Sequence, residues 1–222
     1  PVPVVRVEAE EGRPGGAGNV ALNIAALGGQ VTLLGLTGDD ETGRLLGRRL
    51  EERGVACRFD RTERFATMTK LRVISRHQQL IRLDFEDGFP GYDAGDLLAD
   101  YERQLAFADA VVLSDYAKGT LREVHRFIEL GRAAAKPILV DPKGSDFSRY
   151  RGATVITPNL AELEAVVGRC PDAATIVERG LRVLADCELE ALLVTRGEHG
   201  MTLLHRGQPP QHLPAQAREV YD

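Results

Sequence analysis

The sequence has little of what would place the protein outside the cell or in a membrane. Its three cysteines, Cys57, Cys170 and Cys187, are odd in number and widely spaced, which predicts neither a disulfide framework nor a CxxC metal site. No apolar run is long enough to span a bilayer, because glycine or a charged residue interrupts every candidate. The chain opens at Pro1 without a basic segment or a cleavage site, so we expect no secretory signal and a cytoplasmic location.

Several other features of common protein classes are also missing. The formal net charge is -5, whereas binding of a nucleic-acid backbone needs a basic surface, so we expect no nucleic-acid partner. The sequence contains neither a GxxxxGK[ST] P-loop nor a GxSxG motif. Its five histidines do not have the spacing of metal ligands, which argues against a zinc site.

What the sequence does contain is an alternation of short apolar strands and amphipathic helices. The helical period is clear at Val20, Ile24 and Leu27. The predicted strands are Val31–Leu36, Ala110–Ser114, Pro137–Asp141, Thr154–Thr157 and Leu189–Thr195. Several of these are almost entirely apolar, as parallel strands covered on both faces are. We therefore predict an α/β fold, a three-layer, doubly wound and mostly parallel sheet, in a single domain over residues 1–222.

A segment near the middle of the chain interrupts this alternation. Two amphipathic runs, Met68–Ser75 and Leu80–Asp84, flank a polar turn and predict an antiparallel hairpin with one face that needs a cover. Val2–Val7 is a candidate third strand of the same small sheet. We interpret residues of about 1–12 and 56–86 as a lid over the main domain. Pairing of two lids through their apolar faces would give a homodimer.

Polar residues follow four of the predicted strands, at the ends where an open parallel sheet binds ligands. The four segments are Ser114–Gly119, Asp141–Gly144, Pro158–Glu162 and Thr195–Gly197. Together they bring two lysines, an arginine, acids and an amide to one rim. That combination suits an anionic ligand with a divalent cation, as in phosphoryl transfer, where catalysis is positioning and charge stabilisation.

Each of these segments also has a simpler structural interpretation. Asn159 and Glu162 have the spacing of a helix capping box. Asp141 begins a common exit from a strand into a turn, and Lys143 would then be solvated. The segment Thr195–Gly197 is compatible with a plain turn into the next strand. Their joint position on one rim favours the phosphoryl-transfer interpretation.

A glycine-rich segment that leads into a helix supports a rival interpretation. Gly16-x-Gly18-x-x-Ala21 fits the dinucleotide fingerprint, with Asp39 about 20 residues further on, and would indicate an NAD-dependent Rossmann dehydrogenase. The fingerprint requires a strand that runs directly into its first glycine, whereas Glu8–Pro14 is acidic and ends in proline. A helix N-terminus suits sugar hydroxyls as well as phosphate. A non-catalytic sugar-phosphate-binding module is the third alternative.

Three segments resemble the signatures of the ribokinase-like carbohydrate kinases. Gly15–Ala21 resembles the first signature, in which a Gly-Gly pair and an asparagine contact the acceptor sugar. Asn159–Glu162 is similar to the Asn-x-x-Glu motif, which organises Mg²⁺ and the ATP phosphates. Thr195–Gly200 is similar to the turn beside the nucleotide. The resemblance covers essentially the whole chain and implies the ribokinase-like fold, with ATP and Mg²⁺ as cofactors.

Further segments are similar to the bacterial D-glycero-β-D-manno-heptose-7-phosphate kinases, often the N-terminal half of an enzyme whose other half is an adenylyltransferase. These segments are Thr69–Val73, Gln78–Asp84, Leu113–Gly119, Asp141–Gly144 and Arg149–Thr154. The resemblance implies transfer of the ATP γ-phosphate to the anomeric hydroxyl of the heptose 7-phosphate. The product, the 1,7-bisphosphate, would feed ADP-heptose and lipopolysaccharide core synthesis.

The resemblance also implies a set of site residues. We expect the sugar phosphate to contact Gly15, Gly16, Asn19, Asp115, Lys70 and Arg72, the last two at the 7-phosphate. A solvated lid face is the alternative for Lys70 and Arg72. We expect ATP and its phosphates to contact Lys143, Asn159, Leu160, Ala161, Glu162, Thr195 and Gly197, with Glu162 acting on Mg²⁺ indirectly.

Two parts of the family pattern lie outside this sequence. The resemblance places the first core strand before Pro1, and a Gly-Ala-Gly-Asp anion hole with the catalytic aspartate immediately after Asp222. We therefore expect no catalytic base within these 222 residues and no turnover by this chain.

Overall fold

The computed structural model describes residues 6–75 and 78–215. The helices are α1 Gly16–Ala26, α2 Glu41–Glu51, α3 Gly95–Leu105, α4 Val124–Ala133, α5 Leu160–Val167 and α6 Ala173–Asp186. The strands are β1 Val31–Gly38, β2 Val55–Thr62, β3 Thr69–Ser75, β4 Gln78–Phe85, β5 Val111–Ser114, β6 Ile138–Asp141, β7 Val155–Ile156, β8 Ala191–Thr195, β9 Met201–His205 and β10 Gln211–Leu213. Within these ranges no helix has both the length and the apolar character that crossing a membrane requires.

The largest sheet has six strands in the order β10-β9-β8-β7-β6-β5. Strands β5 to β8 are parallel, and β9 and β10 are antiparallel additions at one side. All five strands predicted from the apolar runs are present, and four of them form the parallel part of this sheet. The prediction of an α/β fold is therefore confirmed.

The core of this sheet is a lateral row of apolar side chains on adjacent strands. The row consists of Leu113, Val140, Ile156, Leu192 and Leu204, which the strand register places side by side and which are all buried. Helix α6 packs on it at Gly180, where a Cβ would lie 2.5 Å from Leu204 Cδ1. Helix α4 packs on the same face at Gly131, where a Cβ would lie 2.9 Å from Ile138 Cδ1. Small residues thus let both helices approach the sheet closely. Val112, on the opposite face, is 45% exposed.

Strands β1 and β2 form a separate parallel pair, in register from Val31 with Val55 to Gly38 with Thr62. Ala21 of α1 and Leu50 of α2 pack with Val55 in a small buried cluster that holds both helices to this pair. The sequence did not predict β2 as a strand of the main domain, because the lid was taken to begin at about residue 56. Residues 56–62 pair with β1, so of the proposed 56–86 lid only the later part forms the hairpin.

Strands β3 and β4 form the predicted antiparallel hairpin as a two-stranded sheet. The predicted turn includes Arg76 and His77, which lie outside the described residues, and Gln78 already belongs to β4. Of the predicted strand Val2–Val7, residues 2–5 also lie outside the described residues, and the remaining two are in no strand. That the hairpin acts as a lid stays a prediction.

The segment that leads into the hairpin is fixed to the start of α2. Asp40 caps α2 by accepting from the Gly43 N–H at 2.7 Å. The same carboxylate accepts from both the N–H and the hydroxyl of Thr67, each at 2.7 Å. These hydrogen bonds lower the pKa of Asp40 although burial would raise it. The base of the hairpin is thereby held against the end of β1.

A carboxylate without a partner lies between β2 and α3. Oδ2 of Asp60 is buried and has no hydrogen-bond partner among the described residues. Burial, together with the negative charge of Asp96, raises the pKa of Asp60 above its ordinary value. At neutral pH the ionised Asp60 therefore destabilises the folded state.

We expect Asp60→Asn to raise the free energy of unfolding at pH 7 by about 1 kcal/mol, because it removes a charge with an unpaired buried oxygen. For a chain of this length that corresponds to a rise in Tm of roughly 2–4 °C. Asp109→Asn, at an exposed position, is the matched control and should leave Tm unchanged.

The difference should depend on pH. The pKa of Asp60 is higher in the folded state than in the unfolded chain, so protonation of Asp60 stabilises the fold. This contribution is complete below the unfolded pKa and is lost as the pH rises through the folded pKa. The increase in Tm that Asp60→Asn gives over the wild-type chain should thus shrink as the pH is lowered through the folded pKa. Thermal unfolding of both proteins from pH 3.5 to 8 measures this difference in Tm. A lower Tm for the variant at pH 7 would contradict the conclusion that ionised Asp60 destabilises the folded state.

Candidate functional site

The four polar strand ends lie together at the carboxyl edge of the main sheet, as predicted. The Asp115 N–H donates to the Asp141 carbonyl at 3.0 Å, which joins the ends of β5 and β6. Asn159 forms a parallel bridge with Thr195, and the Thr195 N–H donates to the Pro158 carbonyl at 3.0 Å, which joins the exits of β7 and β8. The order of parallel strands therefore brings together residues up to 80 positions apart.

A buried tyrosine connects two of these strand ends. The Tyr150 hydroxyl donates to Oδ2 of Asp115 at 2.8 Å and accepts from the Lys143 N–H at 3.0 Å. Asp115 is only 4% exposed, and its other oxygen accepts from the Ala117 N–H at 2.7 Å. Burial, with a smaller contribution from Asp115, raises the pKa of Tyr150 to about 12, so the hydroxyl stays protonated. Asp115 is therefore fixed in orientation, and both of its oxygens are engaged within the protein.

Lys143 meets the start of α5, where the predicted capping box is present. The Glu162 N–H donates to Oδ1 of Asn159 at 2.9 Å, and Oε2 of Glu162 accepts from the Asn159 N–H at 3.1 Å. Oε1 of Glu162 lies 3.2 Å from Lys143 Nζ. The structural interpretation of Asn159 and Glu162 is thus confirmed. The ion pair in addition brings the segment after β6 to the first turn of α5.

The next two residues of α5 could contribute only through their backbone. Leu160 packs partly buried against the core, and Ala161 is exposed without a polar side chain. Both lie in the first turn, where N–H groups have no partner within the helix and attract anions. Their predicted contact with ATP phosphates would therefore be made by N–H groups.

The electrostatics at this edge fit a divalent cation held indirectly. Burial and then the charge of Glu162 raise the pKa of Asp141, and Asp115 adds to the effect while Lys143 opposes it. In the part of the chain that the structure describes, no group of three or more His, Cys, Asp or Glu side chains is placed to hold a metal. Both oxygens of Glu162 are already engaged. Protein side chains alone thus form no cage, and Mg²⁺ would reach this edge with phosphate oxygens and water as its main ligands.

The glycine-rich segment lies beside the strand-end loop after β5. Gly16, the first residue of α1, has φ of 50°, and a Cβ there would lie 3.3 Å from the Tyr116 ring. Gly15 and Asn19 are exposed at the same helix start. The structure thereby brings three of the predicted sugar contacts to the residue that follows Asp115. Tyr116 itself, which is 49% exposed, was not predicted as a site residue.

This segment does not fit the dinucleotide fingerprint. Residues 6–15 form neither a helix nor a strand, so no strand runs into the first glycine of the motif. In a Rossmann fold, that strand leads through the glycine-rich turn into the helix whose N-terminus binds the pyrophosphate. The dehydrogenase alternative therefore has no structural support here.

The two lid cations predicted for the sugar phosphate have different surroundings. Lys70 Nζ lies 2.6 Å from Oε1 of Glu86 and 3.8 Å from Oδ2 of Asp84. Arg72 is exposed and lies directly opposite Arg82 in the hairpin register. Like charges facing each other across a hairpin are unfavourable, which suits a site that receives an anion. Contact with a phosphate stays a prediction for both.

The turn after β8 leaves open space at the same edge. Gly197 has φ of 56°, and no atom lies within 4 Å of the position that a Cβ would occupy. Thr195 is partly buried beside it, and the Arg196 guanidinium folds back to donate to the His199 carbonyl at 2.9 Å. Strand β9 follows antiparallel to β8, so the plain turn that we considered is also present. The Cβ side of Gly197 is therefore unobstructed, beside the partly buried Thr195.

Tyr150 is the principal site residue that we did not predict. Its hydroxyl joins residues 35 and 7 positions away, and a lone tyrosine carries no local signal of such bonds. We expect Tyr150→Phe to lower the free energy of unfolding by about 1–2 kcal/mol, because the buried Asp115 carboxylate loses a donor. Urea denaturation measures this. Tyr92→Phe is the control, since its hydroxyl has no hydrogen bond within the described residues, and an equal loss in both variants would contradict the role of Tyr150.

Comparison with known proteins adds family information to this geometry. The pfkB family carbohydrate kinases match residues 1–222. Similar curated proteins are named bifunctional protein HldE, from Alkalilimnicola ehrlichii at 64% identity and Hahella chejuensis at 59%. Each alignment covers 100% of this chain and 46% of the relative, so the chain spans about half the length of these relatives.

Solved structures show the same fold at low sequence identity. The ribokinase of Arabidopsis thaliana complexed with ribose and ATP has a TM-score of 0.74 at 18% identity, over 95% of this chain and 70% of that one. The phosphofructokinase-2 of Escherichia coli in complex with fructose-6-phosphate has a TM-score of 0.72 at 19% identity, over 93% of this chain and 70% of that one. Because the family match extends over residues 1–222 and the fold is ribokinase-like, this chain belongs to the pfkB family of carbohydrate kinases.

Proposed function

We propose that the full-length protein that contains this domain transfers the γ-phosphate of ATP to the anomeric hydroxyl of D-glycero-β-D-manno-heptose 7-phosphate. The product would be the 1,7-bisphosphate, used for ADP-heptose and lipopolysaccharide core synthesis in the cytoplasm. The observation that carries the proposal is the convergence of Asp141, Lys143 and Glu162 at the start of α5. Relatives named HldE at 58–64% identity support a heptose substrate, and a ribokinase of the same fold complexed with ATP supports the donor.

The ATP side of the site is the edge formed by β6, β7 and β8. Lys143 would neutralise charge on the transferred phosphoryl group, and the first-turn N–H groups of α5 would bind phosphate oxygens. Mg²⁺, when bound with ATP, would offset negative charge on the phosphates. Glu162 would act on that cation through water, since its two oxygens already face Lys143 Nζ and the Asn159 N–H. Thr195 and Gly197 would lie against the nucleotide, in the open space at the turn.

The sugar side of the site is the junction of α1, the loop after β5 and the hairpin. Gly15, Gly16 and Asn19 would contact the sugar hydroxyls, because they are at the helix start that faces the β5 loop. Asp115, whose carboxylate is buried and bonded, would hold that loop in place. Lys70 and Arg72 would contact the 7-phosphate from the hairpin, as we predict from the resemblance.

Phosphoryl transfer is best tested in a full-length protein that contains these 222 residues. With ATP and Mg²⁺, ³¹P NMR should show a new anomeric phosphate on the heptose 7-phosphate. Fructose 6-phosphate and ribose are the comparison acceptors, and kcat/KM should be much lower for both. Equal kcat/KM for fructose 6-phosphate would contradict the acceptor. Binding of the heptose phosphate without any transfer would instead support a non-catalytic sugar-phosphate-binding module.

In the same protein we expect Glu162→Gln to lower kcat by about 10²–10³ with little change in the KM for the sugar phosphate. Gln also completes a capping box, so this change removes the charge and keeps the helix start. Glu178→Gln, on the exposed part of α6, is the control and should leave kcat unchanged. A lower Tm at unchanged kcat would show that Glu162 acts as a helix cap alone.

We further propose that two copies of the chain pair through the apolar face of the hairpin. That face is formed by Leu71, Val73, Ile81, Leu83 and Phe85, of which four are 41–58% exposed. The charged residues Lys70, Arg72, Arg82 and Asp84 alternate onto the other face. A two-stranded hairpin is marginally stable by itself, and its apolar face needs a cover. An uncharged face that the described residues leave exposed suits an identical copy, since a two-fold interface joins the same patch of both subunits.

Light scattering coupled to gel filtration tests the pairing. The unmodified chain should elute as a dimer, and Ile81→Asp should convert it to a monomer because a charge on this face would be buried. Arg82→Gln changes the opposite face of the same strand and should leave the dimer intact. A monomeric wild-type chain, or a dimer that survives Ile81→Asp, would contradict the proposed interface.

A further inference from the structure

Two lysines meet at one carboxylate where the hairpin joins the rim of the main sheet. Lys70 Nζ bonds Oε1 of Glu86, and Lys118 Nζ bonds Oε2 of the same side chain. The two hydrogen bonds lower the pKa of Glu86 to about 2, so the carboxylate is ionised throughout the neutral range. Glu86 therefore occupies an anion position with a cation on each of its two oxygens.

The position of this cluster links it to the sugar side of the site. Lys118 is in the loop after β5, two residues beyond Tyr116, which packs on Gly16. Phe89 packs near Gly119, where a Cβ would lie 3.5 Å from Phe89 Cβ. The cluster thus lies where the hairpin base touches the loop that also contacts the start of α1.

Lysine is rare in this protein, which makes its placement informative. The chain has four lysines, Lys70, Lys118, Lys136 and Lys143, and three of them lie at the hairpin or the rim. Arginine fills the cationic positions on the remaining surface, for example on α2. A flexible ammonium group can exchange one anion for another with little rearrangement, whereas a planar guanidinium is fixed by its fork geometry.

We infer that Lys118 is a further cation for the phosphate of the acceptor, beside Lys70, and that this phosphate displaces Glu86 from the two lysines when it binds. This inference rests on the proposed function for the identity of the sugar phosphate. A phosphate monoester carries more charge than a carboxylate near neutral pH and has three acceptor oxygens, so it competes with Glu86 for both ammonium groups. The side chains of Lys70 and Lys118 are 41% and 39% exposed, so the phosphate can reach them.

The same arrangement would make the bound phosphate the link between the hairpin and the rim. Glu86, directly after β4, links Lys70 of the hairpin to Lys118 of the rim. A bound phosphate would replace this link with one that includes the substrate. An acceptor without the phosphate would leave Glu86 in place and gain nothing from either lysine. Lys118 would therefore contribute to selection of phosphorylated over unphosphorylated sugars.

Opposite effects of two substitutions distinguish this role from a purely structural ion pair. Lys118→Met should weaken binding of the heptose 7-phosphate about ten- to a hundredfold, the loss typical of one charge-assisted hydrogen bond. Glu86→Gln removes the competing anion and should tighten binding severalfold. Neither change should alter binding of the unphosphorylated heptose. Lys136→Met, at the opposite end of the sheet before β6, is the matched control.

Calorimetric titration of the four proteins with the heptose 7-phosphate, the unphosphorylated heptose and inorganic phosphate tests the inference, with circular dichroism to show that each variant is folded. Weaker phosphate-dependent binding in Lys118→Met and tighter binding in Glu86→Gln would support it. Heptose phosphate binding that neither substitution changes would overturn it and leave the proposed function intact. Binding of inorganic phosphate that depends on Lys118, without binding of the heptose phosphate, would support the anion site and contradict the proposed sugar. Absence of any binding that depends on Lys118 would overturn the inference.

Discussion

The parallel order of β5 to β8 is the constraint on which the site depends. Parallel strands end at the same edge, so each strand exit adds its polar residues to one rim. The buried apolar row across the sheet fixes the register, because a shift of one residue would turn these side chains to the other face. The rim is therefore held by the core beneath it, and its loops need few contacts of their own.

Those few contacts are nevertheless specific. Tyr150 joins the loops after β5 and β6 through one hydroxyl, and Lys143 joins the second loop to α5 through Glu162. Each of these bonds connects segments that the sheet has already brought close. The bond of Tyr150 to Asp115 is buried, and a buried, satisfied hydrogen bond contributes modest stability and a strong preference for one arrangement. The result is a chain of fixed polar groups from Asp115 to the start of α5.

Charge at the rim is arranged in two separate groups. One group surrounds Asp141, whose raised pKa reflects burial and the neighbouring carboxylates, and this group suits phosphates that arrive with a cation. The other surrounds Glu86, whose lowered pKa reflects two lysines, and this group suits an anion. A kinase that acts on a sugar phosphate needs both, because donor and acceptor each carry phosphate.

The sequence by itself determined five of the strands and the sheet edge at which four of them end. Apolar runs predicted five strands, and the residues after four of them predicted the rim, because strand burial and helix capping are local properties. Only the tertiary structure decided the pairing of β2 with β1, the hydroxyl bridge of Tyr150, the contact of Tyr116 with Gly16 and the neutralisation of Lys70 by Glu86. Each of these includes a contact between residues at least 16 positions apart in the chain. Periodicity and spacing report what a segment buries or caps, and they carry no information about which distant side chain will meet it.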